Sequence, residues 1–334
     1  MWSWLGVTAA GLLNGSFAVP IKTARIWKFH HIWTLHSLLA MVVMPWAVAI
    51  YAVPNLDEIL GFVPARGWLI LAALGLLFGV GSLLYGVAVD MLGIALGFAI
   101  QLGLSIVLGA VELRLMSGSI SLRTARDALY LLGLMLMVVG VVLCAQAGGA
   151  KSAAPGSSGA RFRKGLVIAI VGGILAPSLG LGIEYGTKLL STSPAGAAAG
   201  GGFNNQIYLA WAVFLSVSAL VQAGYCANRV LSERSASLYV SPGAALDALQ
   251  VLGMSTLWIS SIYVYGRSVF GLGRQGASLG WPIFIGFIIL TSNAWGVILG
   301  EWKGAGPGPF RRMLVGSAIL VFAAFLIGQG NPGS

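Results

Sequence analysis

The chain has 334 residues, 58% of them hydrophobic and 8% charged, with a mean hydropathy of +0.91. A soluble domain carries about 25% charged residues, so this composition excludes an ordinary soluble enzyme and a disordered chain. The net charge of +10 would suit nucleic acid, but the basic residues stand in short runs between long apolar stretches. That is the pattern of loops in a polytopic membrane protein, and it excludes a nucleic-acid binder as well.

A membrane-crossing helix needs about 20 mostly apolar residues. In chain order the stretches that qualify are 2–21, 31–53, 67–89, 92–113, 127–147, 165–190, 204–226, 244–266, 276–299 and 312–329. The fold class that follows is an all-α integral membrane protein of ten transmembrane helices. No basic residue precedes Lys22, so the first span lacks the charged start of a cleavable signal and is expected to be kept. The longest polar stretch, 148–164, is rich in Gly, Ala and Ser and reads as a flexible basic linker. It divides the chain into two five-helix blocks, 1–147 and 165–334. Cys144 and Cys226 lie far apart in apolar segments and read as small packing residues, not as a disulfide or zinc site.

Orientation follows from Lys and Arg. Lys22, Arg25, Lys28, Lys151, Arg161, Arg163, Lys164, Arg229, Arg234, Lys303, Arg311 and Arg312 fall on one side, and fewer basic residues fall on the other. The richer side is expected in the cytoplasm, with both termini outside it.

Two signatures recur along the chain. Span 3 ends in Tyr85-Gly86, six residues, then Gly93, and span 8 ends in Tyr265-Gly266, six residues, then Gly273. Span 4 closes with Glu112-Leu113-Arg114 and span 9 with Glu301-Trp302-Lys303. The two offsets are nearly equal and cross an odd number of spans, so the halves should point in opposite directions, a 5+5 inverted repeat. The alternative is chance, since Tyr and charged residues are common at membrane boundaries.

Three stretches carry a narrower likeness. The first is Asn14-Gly15-Ser16-Phe17-Ala18-Val19-Pro20-Ile21-Lys22, with Trp27, Trp33 and Pro45-Trp46 after it. The second is Tyr85-Gly86 with Leu92-Gly93. The third runs from Gly280-Trp281-Pro282-Ile283-Phe284 through Thr291-Ser292-Asn293-Ala294-Trp295-Gly296 to Gly300-Glu301-Trp302-Lys303-Gly304-Ala305-Gly306. Together they resemble the L-rhamnose–proton symporter family, within the drug/metabolite transporter superfamily. The resemblance implies a ten-helix inverted repeat in the bacterial inner membrane, where the Lys and Arg count puts both termini in the periplasm, that takes up L-rhamnose or a related sugar together with a proton. It also implies a transporter; a membrane enzyme is set aside because the loops are short and chemically plain, no cofactor is expected, and His30, His31 and His36, without nearby acids, read as interface residues and not as a metal site. The partners would be the sugar, the proton and the bilayer. Spans 6 and 7 and the 195–202 loop carry no match, and an exporter or facilitator of another small metabolite remains the alternative. Oligomeric state is not legible.

A sugar site needs amides and hydroxyls for the sugar's hydroxyls and aromatic faces for its C–H surface. Asn14 and Ser16 in span 1, Gln101 in span 4, and Ser292 and Asn293 in span 9 supply the first, and Trp281 and Trp295 the second. Each polar group has a competing role as a helix–helix hydrogen bond, and each tryptophan as packing or interface anchor. Coupling needs a titratable group inside the membrane. Glu184 in span 6 and His36 in span 2 are the candidates, with an i,i+4 pair to Lys188 as the competing role of Glu184. Glu112, Arg114, Glu301 and Lys303 read as helix-end anchors. Pro20 and Pro177 should interrupt spans 1 and 6, the corresponding helices of the two halves, which points to a site lined by spans 1, 4, 6 and 9.

Overall fold

A computed structural model of the chain describes residues 2–116, 124–152, 159–192, 205–272 and 280–329, with the side chains of 109–116, 152, 270, 281 and 282 outside that description. Its regular elements are helical, and no strand occurs among the described residues. In chain order they are α1 (Trp2–Ser16), α2 (Pro20–Thr23), α3 (Phe29–Leu38), α4 (Met44–Ala52), α5 (Leu56–Phe62), α6 (Ala65–Leu92), α7 (Ile94–Met116) and α8 (Ala125–Ser152). After them come α9 (Gly159–Leu175), α10 (Ser178–Leu190), α11 (Gln206–Ser232), a 3₁₀ turn (Ala236–Val240), α12 (Ala244–Gly271), α13 (Trp281–Ile298) and α14 (Pro307–Gln329).

Eight of these segments are long and apolar enough to cross a membrane, counting α1–α2, α3–α4 and α9–α10 as one each. The fourth and ninth apolar stretches are helices too, α7 over 23 residues and α13 over 18. A 28-residue helix such as α6 is about 42 Å long, enough to span a bilayer core of about 30 Å. Leu69, Met135, Leu220 and Leu249 stand exposed on their helices. Rows of outward apolar side chains suit hydrocarbon and not water, so the chain is a multi-pass membrane protein.

Prolines explain where the spans break. Pro20 has no N–H for the carbonyl of Ser16, which instead accepts from Val19 N at 3.2 Å. The chain therefore turns at residues 17–19 between α1 and α2. Pro177 leaves a gap in the same way between α9 and α10, where Ser178 Oγ donates to Leu175 O at 2.5 Å. In span 2 the proline is accommodated differently. A π turn at Leu39–Val43 precedes Pro45, which sits in the first turn of α4.

The stretch 148–164, read as a linker, is helical where it is described. Helix α8 runs on to Ser152 and α9 starts at Gly159. Gly148 lies so near Phe162 and Leu96 that a Cβ would stand 2.5 and 2.7 Å from them.

The chain divides into two compact units. The first contains Met1–Lys22, Leu84–Ile174 and Ser260–Ser334, and the second Thr23–Leu83 and Leu175–Ile259. In the first unit α8 packs on α14, α1 on α13, and α7 on α8 and α13. Glycines set the α8–α14 seam: a Cβ on Gly316 would lie 3.1 Å from Gly140 O and 2.8 Å from the sulfur of the buried, free Cys144. In the second unit α11 is the central helix, against α3, α4 and α10. A buried cluster there joins Ala49, Val53, Ile59 and Val63 to Leu190, Leu209, Ala210 and Ala212.

Candidate functional site

In the first unit, α1 reaches α13 through two glycines. A Cβ on Gly11 would stand 2.8 Å from Phe284 O, and one on Gly15 2.6 Å from Thr291 Cβ, so only glycine permits this approach. The close seam brings polar groups together at the break in span 1. Asn14 Nδ2 donates to Ser261 Oγ of α12 at 2.8 Å. Trp295 Nε1 donates to Ser16 Oγ at 2.9 Å, and that hydroxyl donates to Leu12 O at 2.8 Å.

One residue past Ser16, an aromatic group closes the same region. Phe17 stacks on Tyr85 of α6 at 6.0 Å and stands 5.9 Å from Phe98 of α7, while Tyr85 meets Phe98 edge-on at 5.2 Å. Phe98 and Gln101 share a face of α7. Gln101 is buried against α9, where a Cβ on Gly172 would lie 2.7 Å from its Nε2.

Ser292 and Asn293 are elsewhere on α13. Ser292 Oγ turns back to Ile289 O at 2.9 Å. Asn293 lies about 200° around the helix from Thr291, which faces α1. Its side chain is buried, and its Oδ1 has no hydrogen-bond partner among the described residues. The side chains of Trp281, Glu112 and Arg114, and all of Gly273, lie outside the described residues.

The turn between α6 and α7 is clamped at both ends. Gly93 takes φ +95°, and a Cβ there would strike the Glu301 carboxylate. That carboxylate accepts from Ile94 N at 2.6 Å and Ala95 N at 3.4 Å, the free donors at the start of α7. At the end of α6, Lys22 Nζ donates to Asp90 O at 2.7 Å, and Arg161 pairs with the Asp90 carboxylate at 2.8 Å. Lys151 Nζ sits 5.1 Å over the Trp302 ring, and Lys303 is exposed with its stem against Gly300. The repeat markers Tyr85 and Gly86 lie on α6, and Tyr265 and Gly266 on α12, where Tyr265 packs on Phe284 at 4.5 Å.

The second unit holds the titratable candidates. His36 is buried beside Trp33 and Trp258. Its Nδ1 is 3.1 Å from Ser255 Oγ, whose own proton goes to Val251 O at 2.8 Å. The hydroxyl must then accept, which assigns the imidazole proton to Nδ1. Beside it, Trp33 Nε1 and Ser82 Oγ both donate to Gln222 Oε1, at 2.9 and 3.1 Å. Glu184 is exposed and pairs with Lys188 at 2.6 Å.

Asp247 is buried and accepts from the backbone N–H groups of Arg25, Ile26 and Trp27, pinning the loop before α3 to the first turn of α12. Tyr239, in the 3₁₀ turn beside that loop, donates to His31 O at 3.3 Å, and burial raises its phenol above the usual range. Among the described residues, no three His, Cys, Asp or Glu side chains stand together as a metal site.

Sequence reasoning missed Ser261, Gln222 and the grouping of Phe17 with Phe98. The signal for Ser261 was the Ser260-Ser261 pair inside an apolar span. The aromatic group had none, because its members come from three separate elements.

The L-rhamnose-proton symport protein family (RhaT) matches residues 1–332. This chain belongs to that family. Its members are transporters and not enzymes. The chain is 23% identical over 341 residues to an L-rhamnose-proton symporter of Pectobacterium atrosepticum, an alignment covering 98% of this chain and 96% of the relative. It is 24% identical over 342 residues to one of Escherichia coli O1:K1, with 98% and 96% covered. A third, of Mannheimia succiniciproducens, is 23% identical over 341 residues, again with 98% and 96% covered. No solved structure matches the chain.

Proposed function

We propose that this protein carries L-rhamnose and a proton together into the cell across a bacterial inner membrane. The observation that carries the reading is the family match along nearly the whole chain. The site chemistry agrees with it: neutral amides, hydroxyls and rings gather at the break in span 1, which suits an uncharged polyol. Asn14, Ser16, Gln101 and Trp295 are the proposed sugar contacts in the first unit. Asn293, with a buried acceptor, and Ser292 are secondary ones. Trp281 completes the set.

The architecture we propose for this activity is ten spans in two inverted five-helix halves, 1–147 and 165–334, with the termini in the periplasm. Two observations support it. Spans 1 and 6 are both broken beside a proline. Each half gives its opening and closing parts to the first unit and its middle to the second. Broken helices at matching places in two repeats are a common frame for a central substrate site.

For the proton we propose His36 before Glu184. His36 is a titratable ring held away from solvent on a serine hydroxyl, whereas Glu184 is exposed and paired within its own helix. The test is to add L-rhamnose to de-energised, lightly buffered cells that lack their own rhamnose uptake, while recording external pH. Alkalinisation that an uncoupler abolishes, absent from empty-vector cells and from His36→Gln but kept in Glu184→Gln, is the expected result. Rhamnose entry without alkalinisation would overturn the coupling, and no entry from protein present in the membrane would overturn the substrate.

A further inference from the structure

We propose that Phe17, Tyr85 and Phe98 form the wall that reads the deoxygenated carbon of the sugar and so set its preference for a 6-deoxyhexose over the 6-hydroxy counterpart. The inference rests on the sugar reading above and adds to it the residues that decide which sugar is taken. Its basis is geometric. Three rings from three separate elements meet with centroids 5.2 to 6.0 Å apart at the break in span 1. Phe17 and Phe98 are buried. Each lies three residues from an amide proposed to hold the sugar. Phe17 N donates to Asn14 O at 3.5 Å, and Phe98 precedes Gln101 on one face of α7. Along the chain, then, each buried ring has an amide three residues away: Asn14 before Phe17 and Gln101 after Phe98.

A 6-deoxyhexose has matching needs. Its ring hydroxyls ask for amides, and its methyl group asks for aromatic faces, which offer no strong donor or acceptor even in Tyr85, whose hydroxyl lies in the ring plane. Against ring faces, a hydroxyl on that carbon would leave water and find no partner, which is the costly outcome for a buried polar group. The aromatic pair of the second unit, Phe78 and Phe214 at 5.6 Å, is built otherwise. No amide lies within one turn of either ring, and Phe214 packs on Gly182. That pair serves as a control for the loss of a buried ring.

The test is competition. Uptake of labelled L-rhamnose is measured against unlabelled L-rhamnose and L-mannose, which differs by a hydroxyl on carbon 6, with membrane protein levels matched. The wild type should show L-mannose competing about tenfold or more weakly, the size expected for discrimination by an apolar pocket. Phe98→Leu and Phe17→Leu should bring the two sugars within about threefold, as a shortened wall admits water to the hydroxyl. Phe98→Tyr keeps the ring and adds a partner, so it should improve L-mannose competition without loss of protein. Phe214→Leu should lower uptake with the wild-type ratio retained. An unchanged ratio in Phe98→Tyr and in whichever leucine variants still take up rhamnose overturns this inference alone. Equal competition by the two sugars in the wild type also overturns it. Absence of rhamnose uptake by the wild type overturns the substrate reading and this inference with it.

Discussion

Spans 1 and 6 break beside a proline, and the side chains around the two breaks are used in opposite ways. At the first break the polar residues reach out: Asn14 bonds to Ser261 on α12, Ser16 takes the indole N–H of Trp295 on α13, and Phe17 joins rings from α6 and α7. At the second break the chain serves itself. Ser178 satisfies Leu175 O, and Glu184 pairs with Lys188 one turn on. The first break is thus held by groups that a polyol could also bond, and a sugar entering there would exchange protein partners for its own hydroxyls at little net cost. The second break offers no such exchange. Two halves with matching interruptions need not contribute equally to a site, because one asymmetric substrate has to be read by unequal surfaces.

That contrast can be broken by mutation. The largest effect is expected from Asn14→Leu, which removes the outward bond of the first break: L-rhamnose uptake should fall by about a hundredfold, as losing a polar contact to a bound hydroxyl can cost that much or more, while the protein still reaches the membrane. Measured uptake near the wild-type rate would remove the first break from the site. Gly172→Val comes next. Its side chain must displace Gln101, whose Nε2 would stand 2.7 Å from the new Cβ. About 1–3 kcal/mol of stability should be lost, visible as a lower Tm in detergent, with reduced uptake. Ser178→Ala takes away the self-made cap of the second break and should cost about 1 kcal/mol in the same melting assay, with uptake nearly unchanged. The smallest effect belongs to Glu184→Gln. An exposed i,i+4 pair is worth about 0.5 kcal/mol or less, and its removal should hardly move Tm.

Much of the fold could be read from the residues, for physical reasons. Runs of about 20 apolar side chains have few alternatives to a membrane helix, and each of the predicted stretches contains one or two helices. Pro20 and Pro177 announce their breaks because a missing N–H acts locally. The short α5, Leu56–Phe62, escaped because it is too brief to span and too mixed to stand out between two long spans. The site was legible only by residue type. Asn14 and Ser16 could be named from an apolar span, but their partners Ser261 and Trp295 are more than 240 residues away. Such pairings depend on how helices pack, which one sequence does not state. Asp247 makes the same point. An acid in the first turn of α12 suggests its own helix N-terminus, yet its oxygens serve the backbone of Arg25, Ile26 and Trp27. Glu301 likewise serves α7 from a distant loop.

The most direct test of a sugar site at the first break uses the conservative substitution Ser16→Cys, with the buried Cys144 and Cys226 replaced by alanine. The rate of labelling by a membrane-impermeant maleimide is followed with and without sugar. The account predicts that the thiol is labelled from the aqueous side and that L-rhamnose slows labelling in a saturable way while D-glucose does not. Labelling at the same rate with and without L-rhamnose, in protein that still transports it, would contradict the account.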